Sequence, residues 1–116
     1  MIYGTGIDII EIERMAQALK RWGTSFLEHV FTPQEIAYAQ RRRYPNQHFA
    51  ARFAAKEAVL KAFGENAHIS WKNIEIINDK NGKPLCHYKD KKFKKKILIS
   101  ISHTKNYAVA SAIITK

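Results

Sequence analysis

Two carboxylates stand in apolar surroundings where a charge is unexpected. Asp8 lies in the run GIDII near the start of the chain, and Glu57 lies in the run FAAKEAVLKAF in the middle. An isolated buried carboxylate is costly, so each should have a partner. Two carboxylates from separate elements, with lysines and arginines nearby, suit one hard cation that also binds phosphate oxygens, as Mg²⁺ commonly does.

Simpler interpretations of the same residues stay open. Asp8 could accept hydrogen bonds from backbone N–H groups at the end of a strand. Glu57 and Lys61 are four residues apart, as are Arg52 and Lys56, so each pair shares one side of a helix. Glu57 and Lys61 could therefore form an ordinary exposed ion pair. Because the intervening residues are apolar nearly all round, these charges must either reach solvent or meet a charged ligand.

His103 follows Ser102 at the end of an alternating run and is the third candidate. The two residues are sequence neighbours without an evident third group, so a nucleophile triad is not supported. The His and Cys residues also lack the spacing of a zinc site.

Composition narrows the class of protein. The 116 residues predict a single domain over 1–116, and the net charge of +10 favours an anionic partner: nucleic acid, an acidic protein or a phosphorylated small molecule. The one cysteine excludes an internal disulfide and fits a reducing cytoplasm. We expect no membrane span, since no apolar run approaches about 18 residues. The apolar start lacks the basic residues of a signal peptide and carries acids early.

The central element that positions Glu57 is predicted to be a helix over residues 46–63. Asn46 is its expected N-cap and Gly64 its stop, with Pro45 breaking the chain beforehand. Before it we expect a strand over 2–10, a helix over 11–22 that ends at Gly23, and a helix of residues 33–42.

Several finer signals accompany these elements. Thr32 and Glu35 form the capping box of the helix predicted at residues 33–42, with Pro33 in its first turn. Gly4 and Gly6 give only a weak signal for a phosphate loop, because the longer spacing of such loops is missing.

The second half of the chain is predicted to be mostly β. After a loop at 65–70, strands at 73–78 and 84–88 flank the Asn81-Gly82 turn and form a hairpin. A lysine-rich connector at 89–96 leads to strands at 97–102 and 107–115. The fold class is therefore α+β, with an antiparallel sheet packed on a long central helix.

Three runs of the chain resemble the holo-acyl-carrier-protein synthases, the short bacterial-type 4′-phosphopantetheinyl transferases. They are GTGIDIIEIER, FAARFAAKEAVLKAFG and ISISHTKNYAVASAII. The motifs G-x-D and F-x-x-K-E-x-x-x-K are specific at this separation, and the Phe-Thr-Pro-x-Glu helix start and the Asn-Gly-Lys-Pro turn also match. The resemblance covers the whole chain in order.

The resemblance implies the 4′-phosphopantetheinyl transferase fold and a reaction. Phosphopantetheine would pass from coenzyme A to a serine of an acyl carrier protein, releasing 3′,5′-ADP, in fatty acid biosynthesis in the cytoplasm. It also implies a homotrimer with active sites between subunits.

The resemblance carries over to particular residues. Asp8 and Glu57 would be the Mg²⁺ ligands, and Lys61 would stabilise the pyrophosphate. His103 would contact a phosphate or shape the site, and either it or a metal-bound water would take the serine proton. The other expected coenzyme A contacts are Arg43, Arg52, Lys56, Gly82 and Pro84. Arg14 and Arg21 would dock the acidic recognition helix of the carrier protein.

The chain departs from the family pattern in three places. Residues 63–68 replace a glycine-rich loop, Ala51 stands where glycine is frequent, and the run at 89–96 is unusually rich in lysine. The rival interpretations are a basic nucleic-acid-binding module and a relative that binds without catalysis. We expect no nucleic-acid partner, since the aromatic residues do not interleave with the basic runs.

Overall fold

The computed structural model describes residues 1–64 and 67–116 of the chain. The elements, in order, are β1 (Ile2–Glu11), α1 (Ile12–Val30), α2 (Pro33–Gln40), α3 (Pro45–Phe63), a short 3₁₀ helix (Trp71–Asn73), β2 (Ile74–Asn78), β3 (Pro84–Tyr88), β4 (Lys96–His103) and β5 (Tyr107–Thr115). The predicted α+β class is confirmed. Residues 65–66, part of the loop expected after Gly64, lie outside the described residues.

The strands form two antiparallel sheets. One has three strands in the order β1-β5-β4, and the other is the hairpin of β2 and β3. The hairpin turn contains Gly82 at φ +85°, a left-handed conformation that favours glycine. The predicted Asn81-Gly82 turn is therefore confirmed.

The three-stranded sheet has two unlike faces. The face toward α3 carries small residues on β5, namely Ala108, Ala110 and Ala112. On β1, a Cβ atom added to Gly6 would overlap the carbonyl oxygen of Ala58, and one added to Gly4 would overlap that of Ala62. The two glycines thus let the strand lie directly on the helix backbone, which is a packing role and not that of a phosphate loop.

Helix α3 is the centre of the molecule because the core lies on two of its sides. One cluster joins Ala58 and Val59 to β2, β4 and β5, and the other joins Phe49 and Ala50 to α1 and α2. The helix starts at Pro45, one residue before the predicted start, and the prediction of Asn46 as N-cap is wrong, because Tyr44 is the N-cap and Pro45 occupies the first turn. Proline fits there because its missing N–H would have no partner within the helix. The predicted stop at Gly64 is confirmed, since it is the C-cap.

Two other helix predictions need correction. Gly23 has φ +57° and interrupts α1, but the helix resumes beyond it and continues to Val30. The next helix, α2, ends at Gln40, two residues before the prediction. Its capping box is confirmed, because Thr32 Oγ1 accepts from the Glu35 N–H and Glu35 Oε1 accepts from the Thr32 N–H.

Within the described residues, no helix has both the length and the apolar composition that crossing a bilayer requires.

Candidate active site

The two carboxylates found in the sequence line one cavity. It has a volume of about 430 Å³ and lies where β1 and α3 meet the first half of α1. Asp8 enters from β1, on the same face as Gly6, and Glu57 enters from α3. Arg14 lines the same cavity from α1. The expected convergence of Asp8 and Glu57 therefore has a geometric basis.

Lys61 lies across the closest approach of β1 and α3. Its Nζ donates to Asp8 Oδ1 at 3.2 Å and to the carbonyl oxygen of Ile7 at 3.0 Å. The ion pair that Glu57 and Lys61 could have formed is not the one observed among the described residues. Asp8 is mostly buried while Lys61 remains half exposed, so this ion pair has one solvent-accessible partner.

Glu57 is held in an environment that disfavours its charge. Burial raises the pKa of its carboxyl, the nearby carboxylate of Asp8 raises it further, and Lys61 partly opposes the shift. Two carboxylates this close need a positive charge to be stable together. The single ammonium of Lys61 supplies part of it.

The donor set of this cavity fits a hard cation. Within the described ranges, no cluster of three or more His, Cys, Asp or Glu side chains is arranged to hold a metal. Asp8 and Glu57, whose pKa the Asp8 carboxylate raises, are the candidate ligands, and Mg²⁺ is commonly bound by one or two carboxylates together with phosphate and water oxygens.

Lys56 lies apart from this group, on a different side of α3. It is fully buried, and its Nζ lies 2.6 Å from Glu35 Oε1, 2.7 Å from the Val30 carbonyl and 3.1 Å from the Trp71 carbonyl. Its charge neither reaches solvent nor faces the cavity. The sequence predicted that this charge either reaches solvent or meets a charged ligand. The structure instead places it in a buried ion pair with Glu35.

A second group of predicted residues gathers at the other end of α3. Arg52, 4 % exposed, donates to Asn78 Oδ1 at 2.6 Å, and Asn78 Nδ2 donates to the Gly82 carbonyl at 2.8 Å. Pro84 pairs with Asn78 across the hairpin. Among the described residues, Arg52 Nε is a buried polar atom without a hydrogen-bond partner.

Aromatic and imidazole rings complete this second group. The guanidinium carbons of Arg42 and Arg52 each lie 4.0 Å from the ring centroid of Tyr38. His48 packs 5.6 Å from that ring and 6.5 Å from the ring of His103. Burial lowers the pKa of His48, and the charges of Arg52 and Arg42 and the neighbouring His103 lower it further.

Four residues of the second group were not predicted as site residues from the sequence: Tyr38, Arg42, His48 and Asn78. Arg42 belongs to the basic run at 41–43, which was a visible signal. The other three carry no spacing signal, because they come from three separate elements.

The remaining predicted residues lie on the surface. Arg43 is exposed beside the ring of Tyr44, and Arg21 is exposed beside the ring of Trp22. Within this one chain, the Asp8–Glu57 cavity and the group around Arg52 and His103 are separate places.

Comparisons with known proteins identify the family of this chain. The family model described as the 4′-phosphopantetheinyl transferase superfamily matches residues 4–112. The holo-[acyl-carrier-protein] synthase of Thermodesulfovibrio yellowstonii is 48% identical over 115 residues, which cover 99% of this chain and 100% of that protein.

Solved structures give the same answer. The chain resembles a holo-(acyl-carrier-protein) synthase from Bacillus anthracis in complex with CoA (3′,5′-ADP), with a TM-score of 0.88 and 36% identity over 100% of this chain and 98% of the other. It also resembles the Helicobacter pylori enzyme in complex with coenzyme A, with a TM-score of 0.85 and 30% identity over 96% and 99%. The chain belongs to the 4′-phosphopantetheinyl transferase superfamily.

Proposed function

We propose that this protein transfers the 4′-phosphopantetheine group of coenzyme A to a serine of an apo-acyl carrier protein and releases 3′,5′-ADP. The observation that carries the proposal is the convergence of Asp8 and Glu57 in one cavity of a superfamily member, with Lys61 paired to Asp8. The serine hydroxyl gives its proton to His103 or to water, its oxygen forms a bond to the β-phosphorus of the pyrophosphate, and the bond from that phosphorus to the bridging oxygen breaks. The carrier protein and its serine would approach from the open side of this cavity.

Asp8 and Glu57 would hold Mg²⁺ in this reaction. When bound, the cation would supply Lewis-acid stabilisation of the charge that develops on the pyrophosphate. The chain's own contribution is positional: the two carboxylates fix the place of the cation, and the ammonium of Lys61 beside Asp8 offers a further positive charge to the phosphate oxygens.

The group around Arg52 would bind the nucleotide end of coenzyme A. The unpartnered Nε of Arg52 and the arginine-rich wall beside it suit an anionic group. Arg43, Gly82, Pro84 and His103 are proposed members of this subsite. Lys56 is left out, because all three of its N–H donors already have acceptors within the protein.

Self-association would bring the two groups together. The outer face of the three-stranded sheet leaves large apolar side chains exposed: Ile7 at 65 %, Ile9 at 64 % and Leu98 at 50 %. A second copy of the chain is the occupant that this face fits, because the second group of residues would then have a neighbour's carboxylates to face. A homotrimer in which two subunits share each active site would cover this apolar face. It would also bring the second group of one subunit to the carboxylates of its neighbour.

Arg14 and Arg21 would dock the acidic carrier protein. Arg14 lines the cavity, so a carrier bound there would hold its serine beside the pyrophosphate. The net charge of +10 would steer both the acidic carrier and the polyanionic coenzyme A. We place this reaction in cytoplasmic fatty acid biosynthesis and assign it to residues 1–116 as one domain.

The direct test is the intact mass of an apo-acyl carrier protein after incubation with this protein, coenzyme A and Mg²⁺. We expect the carrier to gain one phosphopantetheine, and we expect EDTA to prevent the gain. A carrier that a known transferase modifies, but that this protein leaves unchanged, would contradict the proposal. A gain that persists in EDTA would contradict the metal assignment alone.

A further inference from the structure

The buried ion pair of Lys56 and Glu35 has no part in the reaction proposed above. Both side chains are completely buried, and their charged atoms are 2.6 Å apart. Replacing such a pair by apolar residues is often neutral or stabilising, so its presence is weak evidence for stability alone. The pair therefore needs another explanation.

Every hydrogen-bonding group of this pair is occupied by the protein. An ammonium has three N–H donors, and Lys56 directs them at Glu35, Val30 and Trp71. Glu35 in turn accepts from Lys56 and the Thr32 N–H at Oε1, and from the Ile76 N–H at Oε2. A ligand would have to displace one of these bonds to bind here.

The same bonds join five elements of the fold. Val30 is the last residue of α1, Glu35 is in α2, Lys56 is in α3, Trp71 begins the 3₁₀ helix and Ile76 is in β2. A second carboxylate strengthens the junction, since Glu75 on β2 accepts from Thr32 Oγ1. Helix α3 is thus held from the side opposite to β1 by directional bonds.

We infer that Lys56 is a positioning residue, whose ion pair with Glu35 fixes the rotation of α3 about its axis and so sets the direction in which Glu57 faces the cavity. Adjacent residues of a helix project about 100° apart. Fixing Lys56 against α2 and β2 therefore fixes where the next side chain points.

The packing of β1 against α3 sets the distance between the strand and the helix. Gly4 and Gly6 set how closely β1 approaches α3, because a Cβ atom at either position would overlap a carbonyl oxygen of the helix. Directional bonds at a buried site specify rotation where apolar packing does not. The separation of Asp8 and Glu57 would thus depend on the glycines, and their mutual orientation on Lys56.

This inference rests on the proposed role of Glu57 as a cation ligand. Changing a residue that orients a metal-binding side chain typically lowers the metal affinity by about 10–100-fold. A residue that only stabilises the fold would leave metal affinity unchanged at temperatures where the variant is still folded. Affinity for the cation therefore distinguishes the two roles.

The test variant is the double substitution Lys56→Met/Glu35→Gln. It removes both charges together, so that neither is left buried without its partner, and the glutamine oxygen can still accept from one of the two backbone N–H groups. Mn²⁺ is titrated into the protein with coenzyme A present and no carrier, below the melting temperature of each variant. We expect Mn²⁺ to bind at least about tenfold more weakly than to the wild type.

Two further variants make the result decisive. Ile114→Ala deletes a completely buried side chain on β5, away from the junction, and should lower stability without changing Mn²⁺ affinity. Glu57→Gln should abolish the tight Mn²⁺ site. If the double variant does not fold, Lys56→Arg is measured in the same way, since it keeps the positive charge beside Glu35 and changes the geometry of the pair.

Unchanged Mn²⁺ affinity in the double variant, together with a loss in Glu57→Gln, would overturn the positioning role and leave the proposed function standing. Unchanged affinity in Glu57→Gln would overturn the cation assignment itself, and the positioning role with it. Equal weakening in Ile114→Ala and the double variant would also overturn the positioning role, because loss of stability would then explain both.

Discussion

At the scale of single residues, the proposed chemistry depends on two carboxylates, Asp8 and Glu57, of which Asp8 is paired with Lys61. We predict that Glu57→Gln lowers the transfer rate by at least about a hundredfold, because a neutral amide binds a hard cation poorly and several kcal/mol of charge stabilisation are lost. The fold should persist, since the substitution also removes a charge that burial and Asp8 disfavour. The mass of the carrier measures the transfer rate, and circular dichroism measures whether the fold persists. Near-normal activity would contradict the prediction.

His48 gives a prediction about acid stability. Its pKa lies below the ordinary 6.5 because of burial and the charges of Arg52 and Arg42. The unfolded chain therefore binds the proton more tightly than the folded one. The stability present above pH 6.5 is then lost as the pH falls through the lowered pKa of the folded state.

We expect His48→Gln to lose less stability than the wild type between about pH 7.5 and about pH 5.5, since glutamine cannot take up the proton. Urea unfolding at the two values measures the difference. A parallel loss in both proteins would mean that His48 has no share in the acid sensitivity.

A substitution of Arg14 can test the proposed docking surface for the carrier protein on α1. Because it is exposed and lines the cavity, Arg14→Glu should raise the KM for the carrier by roughly tenfold at low salt and weaken the binding of coenzyme A less. Lys72→Glu makes the same change of charge on the 3₁₀ helix and is the matched control. Equal effects in both variants would point to general steering by net charge and away from docking at α1.

At the scale of elements, the contact of β1 with α3 decides where Asp8 lies. Gly6→Ala should force the strand away from the helix, because the new Cβ would overlap the Ala58 carbonyl. We expect a loss of about 1–3 kcal/mol of unfolding free energy from overpacking. Activity should fall by up to about a hundredfold, as misplacing a reacting group by about 1 Å can do.

Ser70→Ala is the control for this prediction. Ser70 is exposed just before the 3₁₀ helix and its side chain makes no capping hydrogen bond, so its loss should change neither quantity greatly. Urea unfolding and the carrier assay measure both variants. Normal stability in Gly6→Ala would show that the strand tolerates a side chain there.

The elements also show how far the sequence could lead. Asp8 and Glu57 were detectable because a charge in an apolar run is rare, and the elements around them followed from periodicity and capping. Lys56 was misjudged because its partner, Glu35, is 21 residues away and was already explained as a capping residue. Only tertiary packing shows that the Glu35 carboxylate serves both purposes. Tyr38, His48 and Asn78 were missed for the same reason.

At the scale of the whole molecule, the three-stranded sheet has one covered face and one open face. We predict that Leu98→Lys, in the open face, dissociates the proposed trimer and abolishes transfer, because a buried lysine at a subunit contact would be costly. Leu85→Lys places the same charge on an exposed leucine of β3 and should change neither property. Sedimentation velocity and the carrier assay are the measurements, and an active monomer would refute shared active sites.

The one cysteine has a consequence for a protein proposed to handle a thiol cofactor. Burial, together with the charge of Glu35, raises the pKa of Cys86 to about 12, so its reactive thiolate is scarce near neutral pH. Disulfide exchange proceeds through the thiolate. Oxidised coenzyme A should therefore form a mixed disulfide with this protein only as fast as the hairpin of β2 and β3 opens. The extent of that modification over time would measure local opening of the hairpin with the natural substrate's own sulfur as the reagent.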